Sequence, residues 1–162
     1  MKKIAFFSTN GGTLFSGNSV DEALRLIGFN LGNSLFHGAL YNWFVCSKTL
    51  VHTGSNTQWI NDNCDCLIIP AANQVNENWD LLDWASFLRK IQIPVFCIGL
   101  GAQADNTNSI IRNLKPGTRD FLDVLSDKCK TIGVRGQFTK DVLKNIGIEN
   151  TEIAGCPSIL YN

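Results

Sequence analysis

The chain has 162 residues, of which 44% are hydrophobic and 17% are charged, which is typical of one globular domain and excludes a disordered segment. Fourteen basic residues balance fourteen acidic ones, so the chain lacks the basic field that binds nucleic acid. The apolar runs are shorter than the ~20 residues of a membrane span. The first residues, MKKIAFFSTNGG, predict a strand and not a signal peptide, so we expect a cytoplasmic protein.

In chain order, short apolar runs alternate with stretches whose apolar residues recur every three or four positions. The runs predict strands at 2–8, 49–53, 66–70, 93–99, 131–135 and 151–155. The periodic stretches predict helices at 19–28, 33–44, 78–90, 119–129 and 137–147. This alternation is typical of parallel β-α units, so we predict an α/β fold with a Rossmann-like, open, mostly parallel sheet and helices on both faces.

Local signals support these boundaries. Ser19 and Glu22 have the spacing of a capping box, and Gly28 and Gly147 are stop signals at helix ends. The longest irregular stretch, 103–118, predicts a surface loop or a lid. Without repeats or linkers, residues 1–162 are predicted to form a single Rossmann-like domain, which is expected to be one half of a longer two-domain protein.

Six cysteines raise the question of a metal site or disulfides. They are scattered along the sequence at Cys46, Cys64, Cys66, Cys97, Cys129 and Cys156. No C-x-x-C pair occurs, and His37 and His52 lack the spacing of paired zinc ligands. We therefore expect reduced thiols that pack as small hydrophobic residues, with no metal and no cofactor.

The residues after the predicted strands are small, polar or glycine-rich. They read STNGG (8–12), PAAN (70–73), GLGAQAD (99–105), VRGQ (134–137) and GCPS (155–158). In open α/β sheets, ligands bind beyond the carboxyl ends of the strands, so we predict a ligand cleft there. The alternative is that these residues are ordinary β-α turns.

The stretch Asn30-Leu-Gly32-Asn33 precedes the predicted helix 33–44. Helix N-termini carry unpaired N–H groups and a partial positive charge, so this turn is a candidate anion site. Gly32 would allow the backbone to approach the anion, and Asn30 and Asn33 would add side-chain hydrogen bonds. The alternative is that Asn33 only caps the helix.

Arg135 ends a predicted buried strand and precedes a glycine. A guanidinium at this place can bind phosphate or carboxylate through two parallel hydrogen bonds. The alternative is an arginine that reaches solvent or pairs with a loop carboxylate such as Asp105. Cys156, with no histidine near it in the sequence, is interpreted as structural and not as a nucleophile.

Several common nucleotide and hydrolase motifs are absent or misplaced. The stretch 99–104 fits G-x-G-x-x-A, but it follows a middle strand, whereas a dinucleotide site needs this motif after the first strand. The sequence contains neither a P-loop nor a G-x-S-x-G motif, which argues against a P-loop nucleotidase and a serine hydrolase.

Four stretches together resemble the polysaccharide pyruvyl transferase family. They are N-x-G-N at 30–33, IIPAAN at 68–73, PVFCIGLGAQ at 94–103, and the run IGVRGQFTKDVLKNIGIENTEIAGCPSILYN at 132–162. The resemblance covers residues from about 28 to 162. The order and spacing of the four stretches are more specific than any one of them, and the last stretch is the most specific.

The resemblance implies one half of a two-domain, glycosyltransferase-like architecture. It implies transfer of the enolpyruvyl unit of phosphoenolpyruvate onto a sugar of a polysaccharide or lipid-linked glycan as a ketal. Asn30, Gly32, Asn33 and Arg135 match family positions that bind substrate, and Gln103 and Ser158 are candidates from neighbouring strand ends. The family's general-acid histidine is expected outside this chain, which leaves the catalytic residue unassigned.

Two other functions stay open on the sequence alone. One is a non-catalytic domain that binds sugar or phosphate without its catalytic partner half. The other is a glycosyltransferase-like enzyme that uses a nucleotide sugar. An isolated half would expose an apolar face, so self-association is also expected.

Overall fold

A computed structural model of the chain describes residues 3–8, 19–26, 31–104, 111 and 113–160. The strands are β1 Lys3–Phe7, β2 Ser47–Val51, β3 Cys66–Pro70, β4 Val95–Leu100, β5 Ile132–Val134 and β6 Thr151–Ile153. The helices are α1 Val20–Leu26, α2 Leu31–Trp43, α3 Thr57–Asn63, α4 Leu82–Arg89, α5 Pro116–Lys128 and α6 Gln137–Asn145, followed by a 3₁₀ helix, Pro157–Leu160. The strands form one sheet in the order β2-β1-β3-β4-β5-β6, and every neighbouring pair is parallel.

Helices cover both faces of this sheet, as two separate hydrophobic clusters demonstrate. Alternate residues of the central strands, such as Ala5 and Leu67, pack in a large cluster with residues of α3, α4, α5 and α6. The intervening residues Phe6 and Ile68 pack in a smaller cluster with Leu40 of α2. This alternation follows the period of two along a strand. The predicted α/β class, with an open parallel Rossmann-like sheet, is confirmed.

The sheet reverses its strand order between β1 and β3. The chain runs from β1 outwards to β2 and then returns to the other side of β1 to form β3. Ligands in open α/β sheets bind at such a switch point. The pairing of β1 with β3 runs from Ile4 with Cys66 to Phe6 with Ile68.

Pro70 limits this pairing towards the carboxyl edge. The N–H groups of Leu67 and Ala71 both donate towards the β4 side, to Pro94 and Ile98. By alternation, the nitrogen of Pro70 faces β1, but proline has no N–H to extend the ladder. The ladder between β1 and β3 therefore ends close to Phe6 and Ile68, at the switch point.

Several predicted boundaries are shifted, for local reasons. The predicted helix 78–90 begins only at Leu82, because the side chain of Asn76 accepts hydrogen bonds from the N–H groups of Asn78 and Trp79 and holds a turn. The predicted helix 119–129 begins earlier, with Pro116 in its first turn, a position that proline favours. The helix α3 was not predicted; Asn56 caps it by accepting the N–H of Trp59 at 3.0 Å.

The other predicted features, the helix-end signals and the loop, are either confirmed or lie wholly or mostly outside the described residues. Ser19 Oγ accepts the N–H of Glu22 at 3.3 Å, as the capping pattern predicts. Gly147 has φ of 87° just after α6, which is the left-handed conformation of a helix stop. Gly28 and most of the predicted loop 103–118, namely 105–110 and 112, lie outside the described residues.

Candidate functional site

The segments that follow β3 and β4 are joined by backbone hydrogen bonds at the carboxyl edge of the sheet. Gly101 N–H donates to Ala72 O, Val75 N–H donates to Gly101 O at 3.1 Å, and Gln103 N–H donates to Val75 O at 3.0 Å. The segments 134–137 and 155–158 follow the adjacent strands β5 and β6. The predicted strand-end segments therefore share one edge, except for residues 9–12, which lie outside the described residues.

Two glycines at the end of β4 leave room for Pro157 and Arg135 to pack directly on the strand. Gly99 has φ of 85°, and a Cβ there would lie 2.6 Å from Pro157 Cδ. A Cβ on Gly101 would lie 2.8 Å from Ala72 O and 3.1 Å from Arg135 Cδ. The G-x-G pattern at 99–101 thus serves the close packing of Pro157 and Arg135.

Arg135 spans the ends of three strands. Its backbone N–H donates to Leu100 O at 2.8 Å, and its Nε donates to Gly99 O at 2.9 Å. Its Nη2 lies 3.4 Å from Ala71 O, on the far side of β4. The other guanidinium N–H donors have no hydrogen-bond partner within the described part of the chain. The side chain is half-buried and keeps donors for an anion.

The helix α2 lies against this guanidinium. It begins at Leu31, so Gly32 and Asn33 lie inside its first turn, and the prediction that they precede a helix starting at residue 33 is wrong. One turn later, the ring centroid of Phe36 lies 5.3 Å from Arg135 Cζ, within the range of a cation–π contact. The structure therefore places Arg135 against α2 at Phe36, one turn after Gly32 and Asn33. Asn30 lies outside the described residues.

The remaining candidates have neighbours at the same edge. Gln103 is exposed, and its side-chain oxygen accepts a hydrogen bond from Asn73 Nδ2. Ser158 Oγ lies 3.1 Å from Cys156 Sγ, and both residues are half-buried. Burial acts to raise the pKa of Cys156, but the hydrogen bond to Ser158 and the charge of Arg135 outweigh it, so the pKa of this thiol is lowered.

Neither histidine is suited to donate a proton at the carboxyl edge of the sheet. Burial lowers the pKa of His37 to about 4, so its imidazole is neutral at pH 7. Its ring packs on Phe36, with centroids 4.6 Å apart, and edge-on to Phe6, at 6.4 Å. His52 is exposed in the loop after β2, where its Nδ1 accepts the N–H of Gly54 at 3.1 Å.

Ser8 was not singled out in the sequence, yet it lies at the switch point. Its side chain is 1% exposed at the end of β1. Its Oγ is the one buried side-chain nitrogen or oxygen without a hydrogen-bond partner among the residues described. The only sequence signal was its place at the start of the polar strand-end segment STNGG.

A separate pocket lies between the loop after β2 and α4. Its volume is about 340 Å³, and it is lined by Thr53, Gly54, Ser55, Thr57, Asp83, Ser86, Phe87 and Lys90. None of the predicted site residues lines it. Lys90 is exposed there and offers a cation that is independent of Arg135.

The cysteines and acidic residues form no metal site in the described ranges. All six thiols are free, and no group of three or more metal-ligating side chains is present among those residues. Burial raises the pKa of Cys97 far above its usual value and that of Cys129 to about 11. Over the same ranges, no helix has the length and apolar character needed to cross a membrane.

Comparison with known proteins identifies a family. The model for the family described as polysaccharide pyruvyl transferase matches residues 13–162. The match begins well before residue 28, where the recognisable motifs start, and so includes α1. No curated protein and no solved structure matches the chain significantly.

Proposed function

The chain belongs to the polysaccharide pyruvyl transferase family, and from this premise we propose that it transfers the enolpyruvyl unit of phosphoenolpyruvate onto a sugar. The acceptor is a sugar of a polysaccharide or of a lipid-linked glycan precursor, and the product is a ketal. Phosphoenolpyruvate is the donor substrate, and no further cofactor is proposed.

The observation that carries this proposal is the placement of Arg135 beside α2. Phosphoenolpyruvate bears a phosphate and a carboxylate, and both are bound well by a guanidinium and by the N-terminus of a helix. Arg135 keeps N–H donors beyond its bonds to Gly99 O and Ala71 O. Gly32 and Asn33 lie in the first turn of α2, one turn from the ring that contacts the guanidinium.

The proposed reaction has three steps. A general acid protonates the methylene carbon of the enol, and a sugar hydroxyl forms a C–O bond to the cationic carbon and loses its proton. The second hydroxyl then loses its proton and forms a second C–O bond at this carbon while the C–O bond to phosphate breaks, and phosphate leaves with the electron pair. Of the two hydroxyl protons, one restores the general acid and the other ends on the phosphate. Arg135 would stabilise the charge that develops on the departing phosphate.

The general acid is not assigned to this chain. His37 is a neutral, buried ring, and a group with a pKa of about 4 cannot hold a proton for transfer at pH 7. His52 lies in the exposed loop after β2, hydrogen-bonded to the neighbouring Gly54. We therefore propose that the acid is a histidine of a second domain that faces this one across the cleft.

Exposed apolar side chains near the site support a facing partner. Leu31 and Leu35 on α2 are 64% and 45% exposed, and Ile159 of the 3₁₀ helix, which packs against α2, is 75% exposed. Exposed apolar side chains in a cluster indicate an interaction surface. We propose that a second domain covers them, and that an isolated chain self-associates through them.

Calorimetric titration of the purified chain with phosphoenolpyruvate tests the proposal, with UDP and GDP as controls. Saturable binding of phosphoenolpyruvate alone is the expected result. Binding of a nucleotide in its place would favour a glycosyltransferase that uses a nucleotide sugar. An absence of heat with every ligand would contradict donor binding by this domain.

Titration of the variants Arg135→Ala and Lys90→Ala tests whether phosphoenolpyruvate binds at the Arg135 site. Each removes one positive charge, but Lys90 lines the separate pocket at α4. The proposal requires that Arg135→Ala weakens the affinity for phosphoenolpyruvate and that Lys90→Ala leaves it unchanged. Equal losses in both variants would indicate nonspecific attraction of an anion.

A further inference from the structure

The Ser8 side chain lies on the α2 side of the sheet, at the end of β1. Alternation along β1 places it on the same face as Ile4 and Phe6, which pack in the cluster that contains Leu40 of α2. The backbone N–H of Ser8 donates to Val51 O at 2.8 Å. The backbone amide is therefore satisfied, and only the hydroxyl lacks a partner within the described ranges.

A buried hydroxyl without a hydrogen bond is an unfavourable arrangement in a folded protein, and nearly all such groups have a partner. Ser8 is 1% exposed, so bulk water does not satisfy it. Two other buried hydroxyls are bonded: Thr118 Oγ1 donates to Trp79 O, and Thr139 Oγ1 accepts the N–H of Ala102. The Ser8 hydroxyl, which lies at the switch point without such a bond in the described ranges, therefore indicates a ligand that accepts its hydrogen bond.

Ser8 and Arg135 lie at the same edge and on the same face of the sheet, on either side of β3. Arg135 reaches across β4 to Ala71 O, directly after β3, and β3 is the neighbour of β1. The N–H of Ala71 donates towards β4, so Arg135 meets the end of β3 from its β4 side. Adjacent strands lie about 4.8 Å apart, so a ligand that contacts both groups must span the end of β3. Arg135 also lies on the α2 side, because Val134 packs in the opposite cluster.

A continuous series of ring contacts links the two residues on this side. Phe6, two residues before Ser8, is 6.4 Å from the His37 ring. The His37 ring is 4.6 Å from Phe36, whose ring lies 5.3 Å from Arg135 Cζ. These contacts connect β1 to Arg135 through α2 on one face of the sheet.

We propose that the Ser8 hydroxyl donates a hydrogen bond to an oxyanion that is held by Arg135 and lies across the carboxyl end of β3. The ligand is a small molecule that carries a phosphate or a carboxylate. A hydroxyl donor and a guanidinium whose remaining N–H groups have no partner in the described ranges are complementary to such oxygens. The identification of this ligand as phosphoenolpyruvate rests on the proposed function, whereas the role of Ser8 towards an oxyanion does not.

The test compares Ser8→Ala with Thr118→Val, which removes a buried hydroxyl that has a partner. Calorimetric titrations use phosphoenolpyruvate, inorganic phosphate and pyruvate, and thermal unfolding of the free protein is measured in parallel. Ser8→Ala is expected to weaken oxyanion binding about tenfold or more without lowering the Tm, because it removes a hydroxyl that has no partner among the described residues. Thr118→Val is expected to lower the Tm and leave binding unchanged.

The outcomes separate this inference from the proposed function. If phosphoenolpyruvate binds equally well to the wild type and to Ser8→Ala, the role of Ser8 is wrong and the proposed function stands. If only inorganic phosphate binds and Ser8→Ala weakens it, the role of Ser8 stands and the donor assignment fails. Binding of none of the three ligands to the wild type overturns both.

A second variant keeps the test decisive if Ser8→Ala does not fold. Ser8→Cys preserves the size of the side chain but replaces the hydroxyl by a weak donor. It is expected to weaken oxyanion binding in a protein that unfolds at the wild-type temperature. An affinity equal to that of the wild type would overturn the assignment of Ser8 as a hydrogen-bond donor to the ligand.

Discussion

The guanidinium of Arg135 lies over the ring of Phe36, with Cζ 5.3 Å from the ring centroid. This contact joins the end of β5 to the first half of α2, although the two residues are far apart in the sequence. It also orients the guanidinium from one side, while Gly99 O holds its Nε from another. Arg135 is thus positioned before any ligand arrives, which lowers the entropy cost of binding.

Arg135→Ala should weaken binding of phosphoenolpyruvate by about 2 kcal/mol, roughly 30-fold, because charge-assisted hydrogen bonds to the anion are lost. Arg135→Lys should recover only part of this, since a lysine lacks the fork of donors that matches phosphate or carboxylate. Isothermal titration measures both. An Arg135→Ala protein that is folded and binds with wild-type affinity would remove Arg135 from the site.

Gly101→Ala should lower the free energy of unfolding by about 1–3 kcal/mol, because its Cβ would meet Ala72 O at 2.8 Å and force backbone shifts. The same displacement should weaken phosphoenolpyruvate binding, since Arg135 Cδ lies 3.1 Å from that Cβ position. Gly136→Ala is the matched control, because nothing lies within 4 Å of its Cβ position and its φ of −177° is extended. Urea unfolding that is equal in the two variants would contradict the packing argument.

Much of the fold follows from the sequence because its strands are short, buried and apolar. The prediction for β3, 66–70, agrees with Cys66–Pro70, where apolar character alone defines the element. The start of α4 was placed too early because Asn76 binds two later N–H groups and holds a turn in an otherwise helical pattern. Such a local competition between side chain and backbone is not visible in hydrophobic periodicity.

The site was less accessible to sequence reasoning than the fold. Arg135 was found because an arginine after an apolar strand is unusual, and the structure brings it against α2. Phe36 was recognised only as an apolar helix position, since nothing in the sequence predicts its contact with an arginine about 100 residues later. Ser8 was missed because a buried, unpaired hydroxyl is defined by its three-dimensional surroundings.

Cys156 should react with iodoacetamide at a lower pH than an ordinary cysteine. Despite burial, the hydrogen bond to Ser158 and the nearby charge of Arg135 lower the pKa of this thiol, so its thiolate forms earlier as the pH rises. Ser158→Ala should move the rate profile to higher pH, because one bond to the thiolate is lost. Mass spectrometry of alkylated peptides measures the rate at each pH.

The buried thiols provide the internal comparison for this experiment. Burial raises the pKa of Cys129 to about 11 and raises that of Cys97 well above its usual value, so both should stay unmodified in the native protein and react only in urea. Modification of Cys156 at the same rate as these two would argue against an activated thiol. Cys156→Ser should leave phosphoenolpyruvate binding intact, since the cysteine is interpreted as structural and not as a nucleophile.

His37 should make the stability of the protein depend on pH between about 4 and 6.5. Its pKa falls from the ordinary value of 6.5 to about 4 because burial disfavours the charged ring. The unfolded chain therefore binds a proton in this window that the native protein does not, so stability is full above about pH 6.5 and is lost as the pH falls towards 4. The loss is on the order of 3 kcal/mol, from about 1.36 kcal/mol for each unit of pKa.

Urea unfolding of the wild type and His37→Leu at pH 7.5 and pH 4.5 measures this dependence. The wild type should lose more stability between the two pH values than His37→Leu, whose side chain does not titrate. His52→Leu is the control, because His52 is exposed and should leave the difference unchanged. If His37→Leu retains the whole pH dependence of the wild type, the titrating group lies elsewhere and His37 is not held neutral by the packing of α2 on β1.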